Sequence, residues 1–338
     1  MLSVIIPLYN CEDYIEDCLE SVIAQSYEDF EVILVNDGST DQSVEVAKRV
    51  QDSRIRIISQ KNRGLFHARI TGLRAAVGEY CIFLDADDLL RANALELLVS
   101  YFDQSYDCVI YTLANFYDGD TTIVKPEPLP LPDQTTYTGE NRNQLLKHLL
   151  TTNKFNSIVC KAFHRSLINL ETLSIYPRIQ SGEDALFTLE LFQHTRATIF
   201  VDQPIYLYRQ RMNSISRRLT YNLYTDNIFR YQLYHNVALN YYIGTEYTDV
   251  DHTIDHQTFR LVISLILNNR YKIENFEVFR NIFVSVQADN YFSGPLRKKL
   301  SHEKLPYRLI LTQLYNGRYR LLYAEHKAVN LLLKLRRQ

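Results

Sequence analysis

The chain has 338 residues, 46% hydrophobic and 22% charged, the ordinary mix of a soluble globular protein with room for one large domain or two modest ones. A formal net charge of −2 argues against a nucleic-acid binder. Five scattered cysteines without a CxxC pair argue against a disulfide scaffold or a thiolate zinc site, and no apolar stretch approaches the roughly 20 residues that span a bilayer.

The first hundred residues alternate strand and helix. Leu2–Tyr9 reads as a strand with no basic leader before it, so we expect no signal peptide and a cytoplasmic protein with reduced thiols. Glu12–Gln25 is an amphipathic helix with Tyr14, Cys18, Leu19, Val22 and Ile23 on one face. Glu31–Val35 is a second strand, followed by Asn36-Asp37-Gly38-Ser39-Thr40-Asp41, where Ser39 or Thr40 can cap a helix running to Val50. Arg54–Ser59 is a third strand, Gly64–Val77 a helix, and Tyr80–Leu84 a fourth strand that ends in Asp85-Ala86-Asp87-Asp88. A helix near Ala92–Asp103 and a strand over Tyr106–Leu113 follow. Repeated strand–helix–strand units predict a mostly parallel sheet with right-handed crossovers.

Beyond that the pattern changes. Lys125–Asp133 carries four prolines and reads as an extended loop. Asn141–Leu150 is helical, Ser157–His164 strand-like, Glu183–His194 an amphipathic helix and Ile205–Arg211 a strand. From Leu219 onward only helical patterns remain, over Tyr221–Tyr242, His252–Asn269, Phe276–Ala288 and Arg320–Arg337. The expected division is residues 1–218, an α/β domain, and residues 219–338, an all-helical one.

Three carboxylates at the end of a buried strand repel one another unless a cation or hydrogen bonds offset them. Hard oxygen ligands with open positions suit Mg²⁺ or Mn²⁺ carrying a substrate diphosphate. Pro7-Leu8-Tyr9-Asn10, Asn36-Asp37-Gly38-Ser39 and Lys61-Asn62-Arg63-Gly64 leading to Arg69 fall at the same sheet edge, where open α/β sheets bind ligands. Tyr9 offers a ring for a nucleobase, and Asp37 an acceptor for a base N–H. Each turn alone reads first as an ordinary capped turn; together they converge on one crevice. Glu183 and Asp184 are either acids favoured by a helix dipole or a site for a general base. Arg209 and Arg211 alternate on a strand, either solvated or gripping a diphosphate.

These motifs, in this order over residues 1–216, resemble the family 2 glycosyltransferases, whose catalytic domain has the GT-A fold. The resemblance implies a nucleotide-sugar donor, a divalent metal (Mn²⁺ or Mg²⁺) and an inverting single displacement. It implies that Pro7, Tyr9, Asn10 and Asp37 hold base and ribose, with uracil favoured. Arg69 reaches the base or phosphates, Asp85 and Ala86 the ribose or metal, and Asp87 is the main metal ligand. Asp184 becomes the base, and Arg209 and Arg211 contact the diphosphate. Many relatives have histidine where Arg211 stands, and arginine is a poorer metal ligand or proton donor. The implied acceptor is a glycan or a lipid-linked sugar in cell-surface polysaccharide synthesis.

Two other classes stay in view. A nucleotidyltransferase should carry a Gly- and Lys/Arg-rich loop after the first strand, where this chain has Leu8-Tyr9-Asn10-Cys11-Glu12. A degenerate scaffold has no need of Asp85, Asp87 and Asp184. From Tyr291 to Gln338 eleven Lys/Arg face two Glu, about +9 on a chain that totals −2. A basic amphipathic helix over Arg320–Arg337 either lies on an anionic membrane surface, at the inner face of the cell membrane, or packs its leucines internally. Tyr-rich helices offer a homo-oligomer interface.

Overall fold

A computed structural model describes residues 1–117, 120–124, 131–152, 155–176, 179, 182–210 and 222–267, with isolated positions between 276 and 324. The chain forms two compact units, Met1–Met212 and Asn213–Gln338. The expected boundary at Arg218 lies outside the described residues, as do most of the helices expected over Phe276–Ala288 and Arg320–Arg337.

In the first unit the elements run β1 (Leu2–Leu8), α1 (Ile15–Ile23), β2 (Phe30–Asn36), α2 (Ser43–Ala47), β3 (Ile55–Ser59), α3 (Leu65–Ala75), β4 (Tyr80–Phe83), β5 (Leu89–Leu90) and α4 (Ala94–Phe102). They continue with β6 (Cys108–Tyr117), β7 (Asp120–Val124), β8 (Thr135–Thr138), α5 (Arg142–Thr151), β9 (Lys161–His164), α6 (Leu170–Ser174), α7 (Glu183–His194) and β10 (Ala197–Arg209). The sheet order is β3-β2-β1-β4-β9-β6-β10-β5, with β7 on β6 and β8 on β10. β1, β2, β3 and β4 are mutually parallel, so their carboxyl ends share one edge. Every residue of β1 is buried, as expected for a parallel strand covered on both faces. Gly72 of α3 lets that helix approach β1 closely, because a Cβ there would run into Ile5.

Several elements depart from expectation. The helix read from Ser39 or Thr40 to Val50 shrinks to Ser43–Ala47. Ser39 Oγ instead accepts from the Asn10 N–H at 3.2 Å, and the Thr40 N–H donates to Asn10 Oδ1 at 2.8 Å, so both residues tie two loops together. The strand read from Ser157 starts only at Lys161 and runs antiparallel between β4 and β6. Ile158–Cys160 form a 3-10 turn instead, and the buried Lys161 Nζ donates to the carbonyls of Phe155 (2.8 Å) and Ser157 (2.5 Å) just before it. β5, β7 and β8 are strands that the sequence reading lacked.

The second unit contains α8 (Asn222–Tyr241) and α9 (Gly244–Leu267), which pack against each other. Gly244, at φ 59°, starts α9. His235 on α8 sits between Asp251 (2.5 Å) and Asp255 (3.6 Å) of α9. A cavity in this unit is lined by Phe276, Arg280 and residues 317–321, which include Arg318, Tyr319 and Arg320.

Candidate active site

The parallel register brings the ends of β1, β2 and β4 together: Leu8 pairs with Asn36, and Ile5 with Phe83. Pro7 is buried inside β1, whereas Tyr9 just beyond it is 45% exposed and presents its ring at the edge. Asn10 takes the left-handed conformation (φ 50°), and its amide holds the β2–α2 turn. Asp37 is buried. Its Oδ1 accepts from Gln60 Nε2 (2.7 Å) and the Arg63 N–H (2.8 Å), and its Oδ2 from the Gly64 N–H (2.7 Å). It therefore anchors the start of α3, and one lone pair on Oδ2 is left by these three bonds.

The acidic turn after β4 is shaped from β10. Asp88 is 1% exposed, accepting from Tyr206 Oη at 2.5 Å and from the Arg209 N–H at 2.8 Å. Tyr206 Oη in turn accepts from the Asp85 N–H at 3.2 Å, and Arg209 Nε donates to the Asp87 carbonyl at 2.8 Å. Burial, then the neighbouring Asp85, pushes the Asp88 carboxyl up to about 7. Of the three acids grouped in the sequence, Asp88 thus belongs beneath the turn, while Asp85 and Asp87 stay partly accessible and Ala86 is buried between them. The Arg209 guanidinium lies 5.1 Å from the Tyr14 ring centroid and 4.8 Å from that of Phe116, with Nη2 on Asp17 at 3.0 Å. Arg211 lies outside the described residues.

Gly182, at φ 81°, precedes α7, and Glu183 and Asp184 occupy its first turn. Asp184 comes to the acidic turn through Arg69. That side chain is 1% exposed; its Nη2 donates to Asp85 at 2.9 Å and its Nη1 to Asp184. Burial alone would push the Arg69 guanidinium down, but Asp184, Asp85 and Glu183 more than reverse it. Burial, then Asp184, pushes Glu183 up to about 7. The arrangement can therefore hold negative and positive charge in one edge crevice, with carboxylates entering from β4 and from α7.

Tyr206, Asp17 and the supporting role of Asp88 escaped the sequence reading. The alternation of β10 places Tyr206 but does not say which loop its hydroxyl meets. Among the described residues no group of three or more His, Cys, Asp or Glu is arranged to hold a metal by itself.

Comparison with known proteins agrees with this architecture. Residues 3–170 match the Glycosyl transferase family 2 domain. Glycosyltransferase EpsJ of Bacillus subtilis is 32% identical over 64% of this chain and 63% of its own length, so just under two thirds of that relative is spanned. EpsH of the same organism is 29% identical over 88% of this chain and 86% of its own, and glycosyltransferase GlyG of Streptococcus pneumoniae 29% over 64% and 73%. The crystal structure of S. aureus TarS residues 1–349, solved with UDP-GlcNAc, superposes with a TM-score of 0.67 at 19% identity, covering 99% of this chain and 91% of that one. That likeness is one of fold: a mostly parallel GT-A sheet with a helical region after it. With the family domain on the strands that build the crevice, the chain belongs to glycosyl transferase family 2, and is a glycosyltransferase.

Proposed function

We propose that the strand-end crevice binds a nucleoside-diphosphate sugar, with uracil as the base, and transfers the sugar to a hydroxyl of a glycan or lipid-linked acceptor by an inverting single displacement. The observation that carries this reading is the meeting of Asp85 and Asp184 on Arg69, because it sets a donor-side and an acceptor-side carboxylate around one crevice.

In this reading the Tyr9 ring stacks on the base, Pro7 and Asn10 fix the loop beneath it, and the remaining Asp37 lone pair accepts a base N–H. Asp85 and Asp87 fit a hard divalent ion: they are two partly accessible oxygen donors at a strand end, and such ions fill their shell with water and phosphate oxygens rather than with a protein cage. Asp87 is the main ligand and Asp85, with the Ala86 backbone beside it, the second ligand or a ribose contact. Mn²⁺ or Mg²⁺, when bound, supplies positive charge for the departing diphosphate. Arg209 adds charge from beneath the turn, and Arg211 completes the proposed phosphate contact. The Asp184 carboxylate removes the proton of the acceptor hydroxyl as its oxygen attacks the anomeric carbon. The new sugar–oxygen bond forms as the bond to the diphosphate breaks, which inverts the centre.

We assign residues 219–338 to a helical appendage working on the cytoplasmic side. Among the described residues no helix is long and apolar enough to cross a membrane. The arginines around the Phe276–Tyr319 cavity and the basic balance of Tyr291–Gln338 support contact with an anionic membrane surface. A homo-oligomer through its tyrosines is proposed on composition alone. The test of the donor assignment is thermal stabilisation and nucleotide release across a panel of nucleotide-sugars with Mn²⁺. Stabilisation by UDP-sugars supports it, and stabilisation by none of the panel refutes it.

A further inference from the structure

Arg69 touches both ends of the proposed reaction at once. Asp85 ends the β4 turn on the donor side, Asp184 opens α7 on the acceptor side, and each receives one Nη of the same guanidinium. A guanidinium is a rigid planar fork, so the separation of two carboxylates bound to its two Nη atoms is set by that fork and not by two flexible acids. The fork is itself fixed. Arg69 is buried, its guanidinium lies 5.4 Å from the Phe83 ring centroid, and α3 is pressed onto β1 at Gly72 one turn further on. Both carboxylates remain partly accessible, whereas the cation between them is not. An arginine that bound diphosphate directly would have to leave this buried position and strand two acids beside Glu183.

We propose that Arg69 is a positioning residue that holds the donor-side Asp85 and the acceptor-side Asp184 in one register, in place of contacting base or phosphate. The inference rests on the reading of Asp184 as the base, and its first test needs no substrate. Thermal melting of the full chain is measured for D85N and D184N, each with Arg69 and with Arg69→Met. With Arg69 present, each carboxylate loss removes an ion-pair partner and lowers Tm; with methionine there, the same loss relieves repulsion and leaves Tm unchanged or raised. Equal shifts in the two backgrounds overturn the proposal. Arg69→Lys, which keeps the charge without the fork, provides the same cycle if the methionine variant does not fold, and is expected to show a weakened coupling.

The second readout splits binding from turnover. Arg69→Met should lower kcat at saturating donor by about tenfold or more, because the base is displaced, and Arg69→Lys should restore part of it. An unchanged kcat with weaker UDP binding alone would make Arg69 a donor-contact residue and overturn the proposal. Turnover that survives D184N would refute the base assignment separately, while the melting cycle still decides whether Arg69 couples the two acids.

Discussion

At the scale of the residue, the site is a set of acids sorted by what surrounds them. Asp184→Asn should lower kcat by roughly 10²-fold or more while UDP affinity stays close to that of the parent chain, since the proposed proton acceptor and its ion pair with Arg69 are lost but the residues proposed to hold the nucleotide are kept. Steady-state kinetics beside calorimetric UDP titration check this. Tyr206→Phe removes one hydroxyl that serves both the Asp88 carboxylate and the Asp85 N–H. It should destabilise the fold by about 1–3 kcal/mol, read from urea denaturation, and weaken nucleotide binding because the acidic turn relaxes. Glu183 gives a signed pH effect. Its carboxyl is raised from about 4.5 to about 7, so the folded state binds the extra proton. Its contribution to stability is therefore complete below the lower value and is lost as pH rises through the upper one. Glu183→Gln should flatten the fall of the urea midpoint across that window; an unchanged slope would remove Glu183 as its source. The positions of Asp85 and Asp87 after β4 and of Asp184 in the first turn of α7 were legible, because strand ends and helix starts carry signals in the sequence. Asp88 was not, since sequence cannot tell which side of a tight turn an acid occupies, and that side separates a candidate ligand from a buried acceptor.

At the scale of the element, the alternating strands and helices of the first hundred residues were legible because each buried run is short and bounded by polar turns. The expected Glu183–His194 helix matches α7 in both bounds. What failed was the middle of the sheet. A four-residue antiparallel strand such as β9 carries no periodicity of its own, and it follows a 3-10 turn whose preceding carbonyls are held by Lys161, an arrangement that local pattern does not reveal. β7 and β8 pair with strands distant in sequence or through an irregular register, which a linear reading does not reveal. The packing of α3 on β1 makes a direct test. Gly72→Ala places a methyl against Ile5, and overpacking of this kind costs about 1–3 kcal/mol. Because Arg69 lies one turn away on the same helix, the variant should lose turnover as well as Tm. A variant as stable and active as the parent would show that the helix is not seated as described.

At the scale of the whole molecule, the proposed donor site at the ends of β1, β2 and β4 meets the carboxylate proposed as base at the start of α7, and a helical unit follows. The charge asymmetry of the tail was legible from composition, but most of the segment that carries it lies outside the described residues. Removing Arg320–Gln338 should release the chain from anionic vesicles while leaving UDP binding intact; unchanged co-sedimentation would end the membrane proposal. The most direct trial of the account is release of nucleoside diphosphate from UDP-sugars with Mn²⁺, comparing the parent chain with Asp87→Asn and Asp184→Asn. The account predicts release by the parent chain from at least one donor, its loss in chelator, and a fall of roughly 10²-fold or more in each variant. Release that persists undiminished in both variants would place the chemistry elsewhere in the molecule.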